Sequence, residues 1–451
     1  MHVGKYEIRG LLGRGGMGAV YKAAMPVTGR MVALKVCRPT EILEDIMGME
    51  NIRRAFLREA VTMARIRHPN VTGIFDVSEG DEAVPPHFAM EYYCNNLGLL
   101  MGETYEVEAP SRRLGVEASL SIARQMLMGL DRLHYAGIVH RDVKPFNVML
   151  AEGPEGRDEV RLIDFGLSKL RGETLTRHKG MVVGSPYYTA PEQEDDPEQA
   201  DARADLFSVG VTLFRMLTGL LPNEGDRTTR ISHSHPDLDQ GWDGFFASAL
   251  AHDRTRRFAD AGAMLAALDE LADAWAERRD EVCSYFDPDQ VPRHHAGEKP
   301  RVEPRKVRPA DARETFGLDE LWRPATYGYG RFEDAGDVVQ DTGSGLFWEK
   351  AGTRYPVEYE DALAHVQRLN EQAFAGRTDW RLPTVDELTT VFTGSTEPGA
   401  FCLETVFDPG RSRLWSSDEK SFTASWYADA RMGFVGHADR TCFLHARAVA
   451  G

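Results

Sequence analysis

His140-Arg141-Asp142-Val143-Lys144-Pro145-Phe146-Asn147, followed by Asp164-Phe165-Gly166, is the stretch whose reading decides the fold. It gathers a carboxylate (Asp142), an ammonium (Lys144) and a carboxamide (Asn147), and Asp164 adds a second carboxylate. Asn147 and Asp164 offer hard oxygen donors of the kind a small divalent cation takes. Asp142 is a candidate proton acceptor, and Lys144 a candidate to neutralise charge on a reacting group.

Working outward, Leu12-Gly13-Arg14-Gly15-Gly16-Met17-Gly18-Ala19-Val20 contains Gly-x-Gly-x-x-Gly. Glycines let a backbone turn tightly and approach phosphate oxygens closely. A dinucleotide-binding loop would need a helix immediately afterwards. Ala19-Val20-Tyr21-Lys22-Ala23 is β-prone instead, so a hairpin is expected. Met31 to Val36 alternates like a strand and carries Lys35. The next helical stretch offers Glu59 as an ion partner, with Phe56, Met63 and Ile66 on its apolar face; Glu50 lies off that stripe. His68-Pro69-Asn70-Val71 is a turn, and Phe88 to Tyr93 a further strand. Ala118 to His134 has helical apolar spacing through Leu120, Ala123, Met126, Leu127, Leu130 and Leu133.

In this order, the motifs resemble the eukaryotic-like (Hanks-type) Ser/Thr protein kinases of bacteria. The resemblance implies an α+β, bilobal fold over 1–278, with an N-lobe at 1–93 and a C-lobe at 94–278. It implies MgATP as cosubstrate, with Mn²⁺ able to replace Mg²⁺. Lys35, paired with Glu59, would hold the α- and β-phosphates. Asp142 would accept or orient the substrate hydroxyl proton, Lys144 would steady the γ-phosphate, and Asn147 and Asp164 would hold the metal. Gly13 to Gly18, including Arg14, Gly16 and Met17, would cover the phosphates. Leu12, Val20, Ala33 and Met149 would sandwich adenine, the backbones of Glu91 and Tyr93 would bond it, and Met90 would gate the back pocket. His140, Phe165 and Met63 would pack as an internal column. Thr174 and Thr176, in the loop from Asp164 to Glu192, are candidate phosphosites, with Arg141 as the phosphate's partner. Ser185 would bond Asp142 and Lys144. Asp205 would brace the catalytic loop, and Arg257 would pair with Glu192.

The totals set limits. The 451 residues carry a net charge of −17, which disfavours general nucleic-acid binding. Cys37, Cys94, Cys283, Cys402 and Cys442 are scattered and odd in number, which suits a reduced, cytoplasmic location. The first residues lack the apolar core of a signal peptide, and no apolar run is long enough for a transmembrane helix.

Residues 279–314 form an expected tether. Its part from 292 to 309 holds Pro292, Pro300, Pro304 and Pro309 with six Lys/Arg against two Asp/Glu, a composition that suits an extended linker. Beyond it, strands are expected around Val338 to Trp348 and a helix over Tyr359 to Phe374. Thr384 and Glu387 make a capping box that starts another helix. Asp341-Thr342-Gly343-Ser344-Gly345-Leu346-Phe347-Trp348, then Asp379 to Leu388, then Leu414 to Asp418 resemble the DUF1566, or Lcl C-terminal-like, family. That resemblance implies a fold similar to C-type lectins and formylglycine-generating enzymes over 315–451, displaying an unknown ligand or protein on variable loops. Trp426, Tyr427, Arg431, His437 and Arg440 are the ligand-face candidates, and Trp348, Trp380 and Trp415 are expected in the core. Relatives end in a cysteine-containing strand; here Ala446-Arg447-Ala448-Val449 stands there. Formylglycine-type catalysis is not expected, because Cys402 and Cys442 stand in no paired motif.

Two functional classes compete. One is a kinase acting on itself and on other proteins, with a second domain that senses or recruits and a dimer as the setting for phosphorylation in trans. The other is a pseudokinase scaffold. Retention of Lys35, Glu59, Asp142, Asn147 and Asp164 favours the first.

Overall fold

In a computed structural model the chain divides into two units. Unit 1 holds residues 1–113, 119–152 and 158–282; unit 2 holds 283–451 with the short segments 114–118 and 153–157. The structure describes residues 1–103, 109–153, 158–164, 186–195, 200–222, 230–235, 238–278, 299–327, 332–393, 402–408 and 410–451. Thr174, Thr176, Phe165, Gly166 and Ser185 lie outside them.

Unit 1 begins with a six-stranded sheet of order β1-β2-β3-β4-β6-β5. Its strands are β1 (His2–Val3), β2 (Tyr6–Gly15), β3 (Gly18–Ala24), β4 (Met31–Cys37), β5 (Ile74–Ser78) and β6 (His87–Glu91). β2 and β3 pair antiparallel through Gly13 opposite Val20 and Gly15 opposite Gly18, so the glycine-rich stretch is a hairpin. A Cβ on Gly18 would stand 2.2 Å from the Val36 carbonyl oxygen; only glycine fits there. α1 (Glu41–Met47) precedes α2 (Met49–Ala64). On α2, Ile52, Phe56, Ala60 and Met63 are buried with Glu59 among them, so the apolar stripe carries one carboxylate inward.

Below it, β7 (Asn95–Asn96), β8 (Val148–Glu152) and β9 (Asp158–Leu162) form a small sheet. The helices are α3 (Leu97–Met101), α4 (Val116–Tyr135), α5 (Pro191–Asp195), α6 (Ala202–Thr218), α7 (Ile231–Ser234), α8 (Gln240–Ala249) and α9 (Ala261–Arg278). α6 is buried on nearly every side, capped by Asp201 at its start and by Gly219 at φ +74° at its end. A helix buried on nearly every side belongs at a lobe's centre; Asp205 and Arg215 are the buried charges it carries there.

Unit 2 is sheet-rich α+β. One antiparallel sheet has the order β10-β11-β12-β16, built from β10 (Phe332–Asp334), β11 (Val338–Asp341), β12 (Phe347–Glu349) and β16 (Val449–Ala450). The other has β13 (Arg413–Ser421), β14 (Ala424–Asp429) and β15 (Phe434–Asp439) in sequence order. α10 (Pro309–Thr315), α11 (Tyr359–Glu371) and α12 (Val385–Thr390) complete it. The capping box at α12 is present: Thr384 Oγ1 accepts from Glu387 N, and Glu387 Oε2 accepts from Thr384 N. Trp348, Trp380 and Trp415 are buried as expected.

Three expectations need correcting. The tether does not extend to 314: Val307 joins a buried cluster with Ala312, Phe316, Val385 and Trp426, and Glu419 exchanges backbone bonds with Arg305 and Val307. Arg301 holds Asp418 at 2.9 Å and also pairs with Asp386. Proline and basic content conceals this because the order comes from partners such as Asp386 and Asp418, 85 and 117 residues from Arg301. Trp426 is core, fully buried and stacked with Trp322. Finally, the cysteines are not all reduced: Cys37 keeps a free, buried thiol, whereas Cys442 is disulfide-bonded. Which sulfurs meet depends on the fold and not on chain spacing. No helix among the described residues is long and apolar enough to cross a membrane.

Asp418 is fully buried and also accepts from the backbone N–H groups of Arg305 and Val385. Asp418→Ala in the full chain should therefore lower the unfolding free energy by about 3–5 kcal/mol, because Arg301 keeps only Asp386 as an ion partner and two backbone N–H groups lose a buried charged acceptor. Calorimetric unfolding of the variant beside the unchanged chain measures it.

Candidate active site

β4 runs between β3 and β6, with Val20 and Phe88 opposite Lys35 and with Lys22 and Met90 opposite Ala33. Alternation puts Ala33 and Lys35 on one face of the sheet. Lys35 Nζ lies 2.8 Å from Glu59 Oε1 and 3.2 Å from Asp164 Oδ1. Burial alone would lower the Lys35 pKa, but the charges of Asp164 and Glu59 outweigh it and hold it well above the usual lysine range. The Lys35 charge holds Asp164 below the usual carboxylate range against the opposing effect of burial, with smaller help from His140 and Lys144. The sign follows by linkage. Asp164, lowered in the folded state, adds stability above its ordinary value of 3.8 and loses it below. Lys35, raised, adds stability below its ordinary value of 10.5 and loses it as pH rises beyond. The pair is therefore charged throughout the neutral range.

The catalytic-loop stretch ends in one 3-10 turn, Pro145–Asn147. Lys144 Nζ donates to both carboxylate oxygens of Asp142, at 3.1 and 2.8 Å. Asn147 Nδ2 donates to the Asp142 carbonyl at 2.8 Å and to its Oδ2 at 2.9 Å. That use of the amide nitrogen leaves Asn147 Oδ1 as the free donor oxygen. The Ile163 N–H bonds the Asn147 carbonyl at 3.1 Å, tying Asn147 to the strand end that carries Asp164. Lys35, Asp142, Lys144, Asn147 and Asp164 thus belong to one constellation.

Asp205 supports it from below. Its carboxylate accepts from His140 N at 2.8 Å and Arg141 N at 2.7 Å, and His134 Nε2 lies 2.8 Å away. Arg141 and Asp164 stand at φ +64° and +55°. Such backbone costs about 1–3 kcal/mol per non-glycine residue and persists only where its surroundings enforce it. Arg257 makes a two-pronged pair with Glu192 at 2.7 and 2.8 Å. Sequence reasoning anticipated Asp205 and Arg257. It missed His134 and also Gln193, whose Nε2 donates to the Arg141 carbonyl at 3.0 Å. The signal for Gln193 was its place three residues after Ala190, where a Gln can reach back to a helix start.

Among the adenine candidates, Ala33 and Met90 are buried, Val20 and Met149 half-buried, and Leu12 exposed. Gly13 and Gly15 face open space. Met17 turns its side chain inward, so the loop offers backbone there. Glu91 and Tyr93 are joined by a bond from the Tyr93 hydroxyl to Glu91 Oε2 at 3.1 Å. His140 and Met63 are buried as an internal column requires.

In unit 2 the ligand-face candidates do not form one display surface. Tyr427 is buried with Trp426. His437 is half-buried beside Lys420 at 3.3 Å, and burial pushes its pKa down to about 4. Arg440 bonds Glu419 at 2.6 Å and Ser425 at 3.0 Å. Arg431 is half-buried, and its backbone N–H bonds Asp429 Oδ1 at 3.0 Å.

A family model described as protein kinase domain matches residues 6–245, and one described as Lcl C-terminal domain matches 337–450. A probable serine/threonine-protein kinase PknB of Bifidobacterium longum is 34% identical over 57% of this chain and 38% of its own length. The serine/threonine-protein kinase pkn3 of Myxococcus xanthus is 35% identical over 51% of this chain and 41% of its own. The DNA damage-responsive serine/threonine-protein kinase RqkA of Deinococcus radiodurans is 36% identical over 51% of this chain and 32% of its own. The chain thus spans well under half the length of these relatives.

Asp205→Ala should cost about 3 kcal/mol or more, because two loop N–H groups lose a buried charged acceptor at once. Urea unfolding of the full chain, followed by tryptophan fluorescence, reads it.

Proposed function

Because the chain belongs to the protein kinase family, matched over residues 6–245, we propose that it transfers the γ-phosphoryl group of ATP to Ser/Thr hydroxyls of proteins, itself included. The observation that carries the proposal is the position of Lys35, whose ammonium reaches both Glu59 and Asp164. An ammonium held between two carboxylates from distant segments is pre-placed to meet phosphate oxygens without reorganising.

In this reading the Gly13–Gly18 hairpin lies over the phosphates, and Lys35 holds the α- and β-phosphate oxygens. Val20, Ala33, Met149 and Leu12 enclose the adenine, with Met90 behind it and the Glu91 and Tyr93 backbones at its edge. Asp142 orients the attacking hydroxyl and takes its proton as the O–P bond forms, while the β–γ bridging oxygen leaves with ADP. Lys144 steadies the transferring group. Little covalent chemistry is asked of the protein; placement and charge do most of it.

The donor set suits a small divalent cation. Asp164 is held ionised, and the nitrogen of the Asn147 amide is occupied by Asp142, which leaves oxygen for the ion. We assign Asn147 and Asp164 to Mg²⁺, with Mn²⁺ as a substitute; when bound, the ion would neutralise phosphate charge. Lysine at position 144 points to Ser/Thr rather than Tyr acceptors. Thr174 and Thr176 are the proposed phosphosites.

Unit 2 is proposed as a C-type-lectin-like module that binds a ligand or target. The match to the Lcl C-terminal domain supports this, and Arg431 and Arg440 remain its candidates. A dimer acting in trans completes the reading.

Labelled γ-phosphate incorporation into the full chain, with Mg²⁺ and ATP, tests it. The unchanged chain should incorporate label, and Asp142→Asn should reduce the rate by about 10²–10⁴-fold. Equal rates would remove Asp142 from its role. No incorporation at all would favour a scaffold.

A further inference from the structure

We propose that Gln193 is a positioning residue for phosphoryl transfer, holding the bent backbone at Arg141 and so aiming Asp142. The proposal rests on the kinase reading above. Asp142 follows Arg141 directly, so its direction depends on a backbone that stands at φ +64°. Such a conformation needs enforcement from outside. On the amide side the enforcement is Asp205, which takes the N–H groups of His140 and Arg141. On the carbonyl side it is Gln193, whose Nε2 donates to the Arg141 carbonyl at 3.0 Å. That carbonyl shares its peptide plane with the Asp142 N–H, which points to His140 Nδ1 at 3.3 Å. Both planes flanking Arg141 are therefore pinned by side chains from other segments.

The amide of Gln193 is used at both ends. Its Oε1 lies 3.4 Å from the Ala190 N–H that donates to it, at the start of α5. Turning the amide over would set oxygen against oxygen at Arg141 and N–H against N–H at Ala190, so the network fixes its orientation. Gln193 is buried, and the preceding residue, Glu192, is clamped by Arg257. A continuous set of bonds thus runs from Arg257 through Glu192 and Gln193 to the residue before the proton acceptor. It joins α5, which follows the stretch carrying Thr174 and Thr176, to the catalytic loop. A carbonyl acceptor requires a donor at 193; a carboxylate there would repel it.

Full-length Gln193→Met and Gln193→Glu are the test, because both keep the side chain's length and remove the donor. Phosphate incorporation, ATP dependence, the unfolding midpoint and hydrogen exchange over residues 140–144 are measured for each. The expected result is a kcat lower by about tenfold, as loss of one bond to a transition-state geometry implies. KM for ATP should stay unchanged, the unfolding midpoint should fall only by the modest amount that loss of the two buried amide bonds implies, and amide exchange in 140–144 should quicken. Gln193→Glu should be at least as impaired as Gln193→Met. Unchanged kcat and exchange in Gln193→Met would overturn the proposal, and so would a loss of kcat matched by equal changes in KM and midpoint. If the unchanged chain transfers no phosphate, the kinase reading fails by itself; exchange at 140–144 then decides whether Gln193 holds the loop.

Discussion

One buried ammonium organises unit 1. Lys35 is nearly inaccessible to solvent and would be costly to keep charged alone. Glu59 from α2 and Asp164 from the end of β9 make it tolerable. The arrangement also constrains the fold, since the helix and the two strands must meet within hydrogen-bond reach. Phe56 against Phe88, with ring centroids 5.2 Å apart, supplies the apolar contact that seats the helix beside β6. Displacing α2 by one turn would bury the Glu59 carboxylate without its partner and leave Lys35 with Asp164 alone.

A second buried charge does comparable work for the catalytic loop. Asp205 lies within the most enclosed helix of the unit and spends its carboxylate on backbone N–H groups. The strained turn at Arg141 is thereby referred to a rigid element rather than to the loop itself. Glu192 and Arg257 do the same for the short helix that follows the 165–185 stretch. The side chains of Asp142, Lys144 and Asn147 meet one another because their backbone has so few alternatives.

Much of unit 1 was legible in the chain because its signals are local or ordered along it. The alternation of Met31 to Val36, the stripe on α2 and the glycine spacing at 13, 15 and 18 each translate directly into an element. Gln193 and His134 were not legible, because their roles depend on partners from distant segments. The same reason explains the misread tether. Arg301 and Val307 look like solvated linker residues until Asp418, Asp386 and Trp426 are placed around them. Trp426 was misread as a display residue because aromatic type alone does not tell a core face from a ligand face. β14 is the middle strand of its sheet, and there the tryptophan turns inward.

The central claim is that Lys35, Asn147 and Asp164 converge on the phosphates of one nucleotide. A crystal structure of the full chain with a non-hydrolysable ATP analogue and Mg²⁺ tests it most directly. The account predicts Lys35 Nζ bonded to α- or β-phosphate oxygens and the ion held by Asn147 and Asp164 oxygens, with the terminal phosphate facing Asp142. An analogue bound elsewhere, or one that leaves Lys35 without a phosphate contact, would contradict it.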